Sequence, residues 1–164
     1  MELDIYTDAF FACIAAIGFG SINNPTRKML PWSGVIAAVG HATRFFLMNS
    51  ALHVHIILAT LVASLIIGAL SLYISYKKHC PSEMFSFPAL LPMIPGMYAY
   101  GTVQAMISYL RCHNEGVDPM HYIDIFIYNG LMMMLIILMM VIGIMLPKSF
   151  LRNRRDCKLN CVRH

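Results

Sequence analysis

Between Phe85 and Leu110 the chain reads FSFPALLPMIPGMYAYGTVQAMISYL, an apolar stretch that its own prolines prevent from being one regular helix. About 20 helical residues cross the roughly 30 Å of bilayer hydrocarbon, so the length suffices for a span. Pro88, Pro92 and Pro95-Gly96 interrupt its first half. A proline within a helix removes a donor and clashes with the carbonyl four residues back, at a cost of about 3 kcal/mol. At 1.5 Å per residue Pro95 falls roughly 15 Å past Phe85, near the bilayer midplane. Backbone left unpaired at that depth is tolerated only where protein or a water-filled cavity covers it. The half-helix after Pro95-Gly96 then turns free N–H groups and the positive end of its dipole toward that cavity. Interrupted helices meeting at the midplane are a construction that secondary transporters use. A kink that only shapes packing is the plainer alternative.

Apolar residues make up 59% of the 164 and charged residues 12%, which places the chain in a membrane rather than in solution. The acidic start Met1-Glu2-Leu3-Asp4 lacks the basic region of a cleavable signal, so the first apolar stretch is expected to persist. Five spans are predicted, at about 5–22, 30–48, 52–76, 85–110 and 119–146. Together they form an all-α transmembrane bundle over 1–147, followed by a basic tail over 148–164. Arg27, Lys28, Lys77, Lys78, Lys148, Arg152, Arg154, Arg155, Lys158 and Arg163 fall on one side of such a bundle and Arg111 on the other. The positive-inside rule then puts the N-terminus outside and the C-terminus in the cytoplasm. Were 85–110 a re-entrant loop, the six basic tail residues would lie outside, so the stretch is expected to cross once. The net charge of +4 therefore marks a membrane anchor and not a nucleic-acid partner.

Small residues at four-residue spacing let helices approach closely in lipid. They recur as Ala12, Ala16 and Gly20, then Gly34, Ala38 and Ala42, then Ala59 and Ala63 with Ser64 and Gly68. Leu131 to Ile142 has no small residue and reads as lipid-facing or as a seam with another chain. Asp118 is expected to cap the last helix, with Pro119 at its first position. Asn23 to Lys28 is expected to form a tight cytoplasmic turn.

Within the second span Gly40-His41-Ala42-Thr43-Arg44 puts His41 and Arg44 on one helix face. An arginine inside a span faces the bundle interior, pairs with a carboxylate or lines a substrate path, unless it snorkels to the headgroups. Asp8 and Asp124 are the candidate partners. His41 is a proton relay or a hydrogen-bonded structural histidine. His53 and His55 read as interfacial. After the break, Tyr98, Tyr100 and Thr102 offer hydroxyls to a small polar solute or to a neighbouring helix, and Asn129 is a lone amide in an apolar run.

Cys13, Cys80, Cys112, Cys157 and Cys161 are odd in number and show no disulfide or zinc spacing. The methionines Met132, Met133, Met134, Met139 and Met140 point in different directions around one helix and suit adaptable packing better than copper. No cofactor is expected, nor is a nucleophile–base pair or phosphate-binding loop present in the sequence.

The PALLPMIPGMYAY stretch (Pro88 to Tyr100), the GHATR stretch (Gly40 to Arg44) and the Asn24-Pro25 turn resemble the small subunit of the split threonine/serine exporter (ThrE-type) family. The resemblance runs from Ile14 to Pro147 and takes in Asn129. It leaves out the basic, cysteine-bearing tail and the methionine richness. It implies a non-enzymatic inner-membrane exporter subunit for small carboxylates, namely threonine and serine or a dicarboxylate such as succinate. It further implies a larger partner subunit that carries a cytoplasmic hydrolase-like domain; a homo-oligomer is the other possible assembly. The substrate-contacting residues expected on this basis are Arg44, His41, Pro95, Gly96, Tyr98, Tyr100, Thr102 and Asn129. A structural subunit, with the path in the partner, and a redox-complex anchor with His41 on haem are the competing classes.

Overall fold

The computed structural model describes residues 2–22, 30–49, 54–112 and 119–161, and these residues are helical apart from short connections. In chain order they form α1 (Glu2–Ile22), α2 (Leu30–Asn49), α3 (Ile56–Lys78) and α4 (Glu83–Leu90). A 3-10 turn over Leu91–Met93 follows, then α5 (Gly96–Cys112) and α6 (Met120–Cys161). The expected turn over Asn23 to Lys28, with its Asn24-Pro25, lies outside the described residues, as do His53 and Asp118. The chain divides into two compact units: residues 1–93 together with 139–164, and residues 94–138.

Among the described residues three helical segments are long and apolar enough to cross a membrane: Ile5–Ile22, Ile56–Lys78 and Met120–Phe150. The two other expected spans miss that criterion for physical reasons. His41, Thr43, Arg44 and Asn49 dilute α2, while the fourth stretch is split into helices of 8 and 17 residues.

In the first unit the small-residue faces carry the packing. Ala12, Ala16 and Gly20 are the buried positions of α1, and Ala59, Ala63, Ser64 and Gly68 are buried on α3. On α2 the buried strip is Ser33, Gly34, Ile36, Ala37 and Gly40, whereas Ala38 and Ala42 are only half-buried. A strict four-residue step drifts around a helix of 3.6 residues per turn, and the contact follows the 3-4 alternation instead.

The helix ends define two levels in this unit. A Cβ on Gly20 would meet Leu30 at 3.2 Å and Pro88 at 3.6 Å, so the end of α1 lies by the start of α2. Lys78 sits over the Trp32 ring at 5.5 Å, and Lys148 donates to Glu83 at 2.6 Å. Lys77 lies over Tyr73 at 4.9 Å. These lysines thus gather at the ends where α1 and α3 finish and α2 and α4 begin. The buried hydroxyls Thr60, Ser64 and Ser71 donate to carbonyls of their own helix. Ser64 also lies 3.3 Å from the Met139 carbonyl on α6.

In the second unit α5 and the first part of α6 pack through glycines. A Cβ on Gly101 would meet the Asn129 amide at 3.0 Å, and one on Gly130 would meet Thr102 at 3.9 Å. Helix α6 begins at Met120, one residue later than expected, with the Pro119 carbonyl accepting from the Ile123 N–H at 3.4 Å. It runs through Pro147 to Cys161, well past Leu146, where the expected span stops. Among its methionines Met132 and Met140 are buried and Met134 is exposed, as different directions around one helix require.

Candidate functional site

The fourth stretch breaks where its prolines dictate, and each proline is placed differently. Pro88 sits inside α4, is fully buried and packs toward Gly20. Pro92 lies in the 3-10 turn, and Pro95 precedes α5, its carbonyl accepting from the Ala99 N–H at 3.2 Å. Proline suits this position because the first N–H groups of a helix have no partner within it. Gly96 opens α5, is exposed, and has open space where a Cβ would stand. Its N–H bonds back to the Ile94 carbonyl at 2.8 Å.

The GHATR element is built against the near side of that break. Gly40 takes the place a side chain would need, since a Cβ there would press on Ile67 (2.6 Å to Cγ1) and approach Met93 at 3.7 Å. One turn on, the Arg44 guanidinium donates through Nη1 to the Met93 carbonyl at 3.2 Å. A helix end leaves carbonyls unpaired and carries the negative end of the dipole, so a cation there both bonds and neutralises it. The sequence offered Asp8 and Asp124 as carboxylate partners for Arg44. One contact described for it is this backbone carbonyl, which no side-chain pattern announces.

Asp8 lies 3.0 Å from His41, Oδ2 to Nδ1. Where Asp8 is ionised it can only accept, and the donor across this contact is then the His41 Nδ1–H. The His41 side chain is 12% exposed and that of Asp8 43%. His41 Nε2 is buried and, among the described residues, has no hydrogen-bond partner. His41 is thus hydrogen-bonded, as the structural alternative requires, and still holds one polar atom in reserve.

The second unit holds the remaining candidates. Thr102 donates to the Tyr98 carbonyl at 2.8 Å and Asn129 to the Ile125 carbonyl at 3.0 Å, both within their own helices. Tyr98 is half-buried, whereas Tyr100, two positions on, is 67% exposed. Asp124 is exposed on α6. A groove of about 360 Å³ opens between α5 and α6, lined by Met106, Tyr109, Tyr122, Ile123, Phe126 and Ile127. Among the described residues nothing charged lines it, so its described walls suit an apolar chain better than a carboxylate. Among the described residues no three His, Cys, Asp or Glu side chains converge in a metal-binding group.

A family model described as "Threonine/Serine exporter, ThrE" matches residues 8–150. A protein of Haemophilus influenzae described as uncharacterized is 36% identical over 114 residues. That alignment covers 70% of this chain and 37% of the relative, so the chain spans little more than a third of that relative's length. No solved structure matches.

Proposed function

The chain belongs to the threonine/serine exporter family, and we propose that it is one membrane subunit of a two-component secondary exporter of small carboxylate metabolites, threonine and serine or a dicarboxylate such as succinate. The observation that carries the proposal is the broken helix. In a span of hydrocarbon, a helix interrupted over 91–95 is sustainable only if protein covers its ends, and Arg44 covers one of them. Such interruptions are where transporters hold ions and charged solutes.

In this proposal the bundle has five spans in the plasma membrane (the inner membrane of a two-membrane cell): α1, α2, α3, the pair α4–α5 and α6. Lys77, Lys78 and Lys148 lie at cytoplasmic ends and Arg111 at an outer end. Arg44 fixes the broken end and supplies positive charge, while His41 supplies a polar or proton-bearing group. In the second unit, Pro95, Gly96, Tyr98, Tyr100, Thr102 and Asn129 are the residues proposed to contact solute. The alignment with only 37% of a longer relative supports a functional unit larger than this chain. The proposed partner is a larger transmembrane subunit that carries a cytoplasmic hydrolase-like domain.

The test is uptake of radiolabelled threonine and succinate into inside-out vesicles, with this chain alone and with the larger subunit. Accumulation only with both supports the two-component exporter and names the solute. With both chains inserted and no accumulation in either case, the chain is a structural subunit or carries another solute. The Arg44→Gln substitution is expected to abolish uptake at unchanged protein level; normal uptake would remove Arg44 from the mechanism.

A further inference from the structure

The Asp8–His41 pair goes beyond packing. We infer that Asp8 is a positioning residue that fixes the His41 ring, so that His41 Nε2 is the polar atom that meets the transported solute; this rests on the export reading above. The Nδ1–Oδ2 contact of 3.0 Å joins residues 33 apart in sequence and ties the first turns of α1 to the late turns of α2. With Nδ1 committed to Asp8, a neutral ring presents Nε2 as an acceptor and a charged ring presents it as a donor.

That atom is buried and, among the described residues, unpaired. A buried polar group without a partner is disfavoured, and each one in a folded protein requires a reason. A second state of the transport cycle, in which solute reaches Nε2 and bonds to it, is such a reason. The conformation described here is then one in which the ring is closed off.

Among the described residues the charge that meets the ring from α1 is Asp8, and α2 carries Arg44 one turn from His41. The α3 residue opposite the motif is Ile67, flanked one turn either way by Ala63, Ser64 and Ser71, none of which titrates. The 3-10 turn over Leu91–Met93 contributes apolar side chains and a carbonyl. Glu83, Lys77 and Lys78 lie at the other end of their helices. An amino acid's ammonium or hydroxyl group suits the neutral ring as donor, and a carboxylate suits the charged one.

The experiment uses the assembled exporter with nitrogen-15-labelled histidine and reads the His41 ring nitrogens by NMR, with and without saturating threonine or succinate. Wild type is expected to show the Nδ1–H form, with Nε2 moving when the transported solute is added. Asp8→Asn, which can itself donate to Nδ1, is expected to shift the ring toward the Nε2–H form. It should raise the KM for uptake by roughly tenfold, the order of one lost hydrogen bond, with a smaller change in kcat. His41→Gln, which keeps a polar end, should retain more uptake than His41→Leu at equal protein level.

An unchanged tautomer in Asp8→Asn removes the positioning role. Uptake by wild type with His41 indifferent to solute overturns the inference and leaves the export reading standing. A His41 response without accumulation of either solute fails the export reading alone, and neither response nor accumulation ends both.

Discussion

Gly143 shows how little freedom the α3–α6 contact has. A Cβ there would collide with the Ser64 hydroxyl, lie 2.8 Å from Ser64 Cβ and stand 3.0 Å from the Leu61 carbonyl. The hydroxyl can rotate away, but the backbone carbonyl cannot. Gly143→Ala is therefore expected to destabilise by about 1–3 kcal/mol, the usual cost of overpacking. Gly18→Ala, on a face where a Cβ meets nothing within 4 Å, is expected to leave the detergent melting temperature unchanged or slightly raised. Equal melting of the two variants would sink this account of the contact. Other single residues were only partly legible in the sequence. His41 and Arg44 stood out because polar groups are costly within a span. Their partners did not, for two reasons. Asp8 meets His41 only through the α1–α2 register, and the Met93 carbonyl that receives Arg44 carries no side-chain signal at all.

Among the elements, the break in the fourth stretch was the most readable, because proline's missing donor and fixed φ act locally whatever the tertiary context. Its extent was less so. Pro88, expected among the interruptions, stays inside α4, and the irregular part covers Leu91 to Pro95. The Pro92→Ala/Pro95→Ala double variant is expected to let α4 and α5 fuse, slowing amide exchange over residues 92–96 and lowering uptake. Fast exchange there, as in wild type, would mean that packing and not proline imposes the break. Helix α6 ends beyond the expected span, because an apolar run shows where a span stops, not where a helix does. Beyond Leu146 the helix continues in polar residues that still favour helix. Near that point Lys148 bonds to Glu83, and this hydrogen bond is the main cause that holds the Glu83 carboxyl below its usual 4.5. A depressed carboxylate contributes stability that is present above the unfolded value and lost as pH falls through the folded one. The Glu83 side chain is 68% exposed, so the contribution is within about 1 kcal/mol and screened by salt. Melting of wild type and Glu83→Gln should differ slightly at neutral pH and converge below about pH 4. A gap that persists in acid would assign the difference to another cause.

For the molecule as a whole, the expectation of a helical membrane bundle came from apolar length and charge placement, and the described residues are helical with three segments that qualify as spans on length and composition alone. The two elements that fail this test hold most of the candidate site, because the polar groups and the break that make a site also erase the hydropathy signal. The count of five therefore turns on α2 and on whether 83–112 crosses the membrane, and the second is the sharper question. Native cysteines mark both sides of that question: Cys80 follows α3, and Cys112 is the last residue of α5. A crossing puts the two on opposite faces, with Cys80 in the cytoplasm; a re-entrant passage puts both on one face and turns the six basic tail residues outward, against the positive-inside rule. In variants that keep one of these cysteines, with serine at the other four positions, a membrane-impermeant maleimide applied to intact cells is expected to label Cys112 and not Cys80. In inside-out vesicles the pattern should reverse. Cys80 and Cys112 labelling from the same side would reduce the spans to four and move the tail, and with it the proposed meeting of this chain with a cytoplasmic partner domain would lose its physical basis.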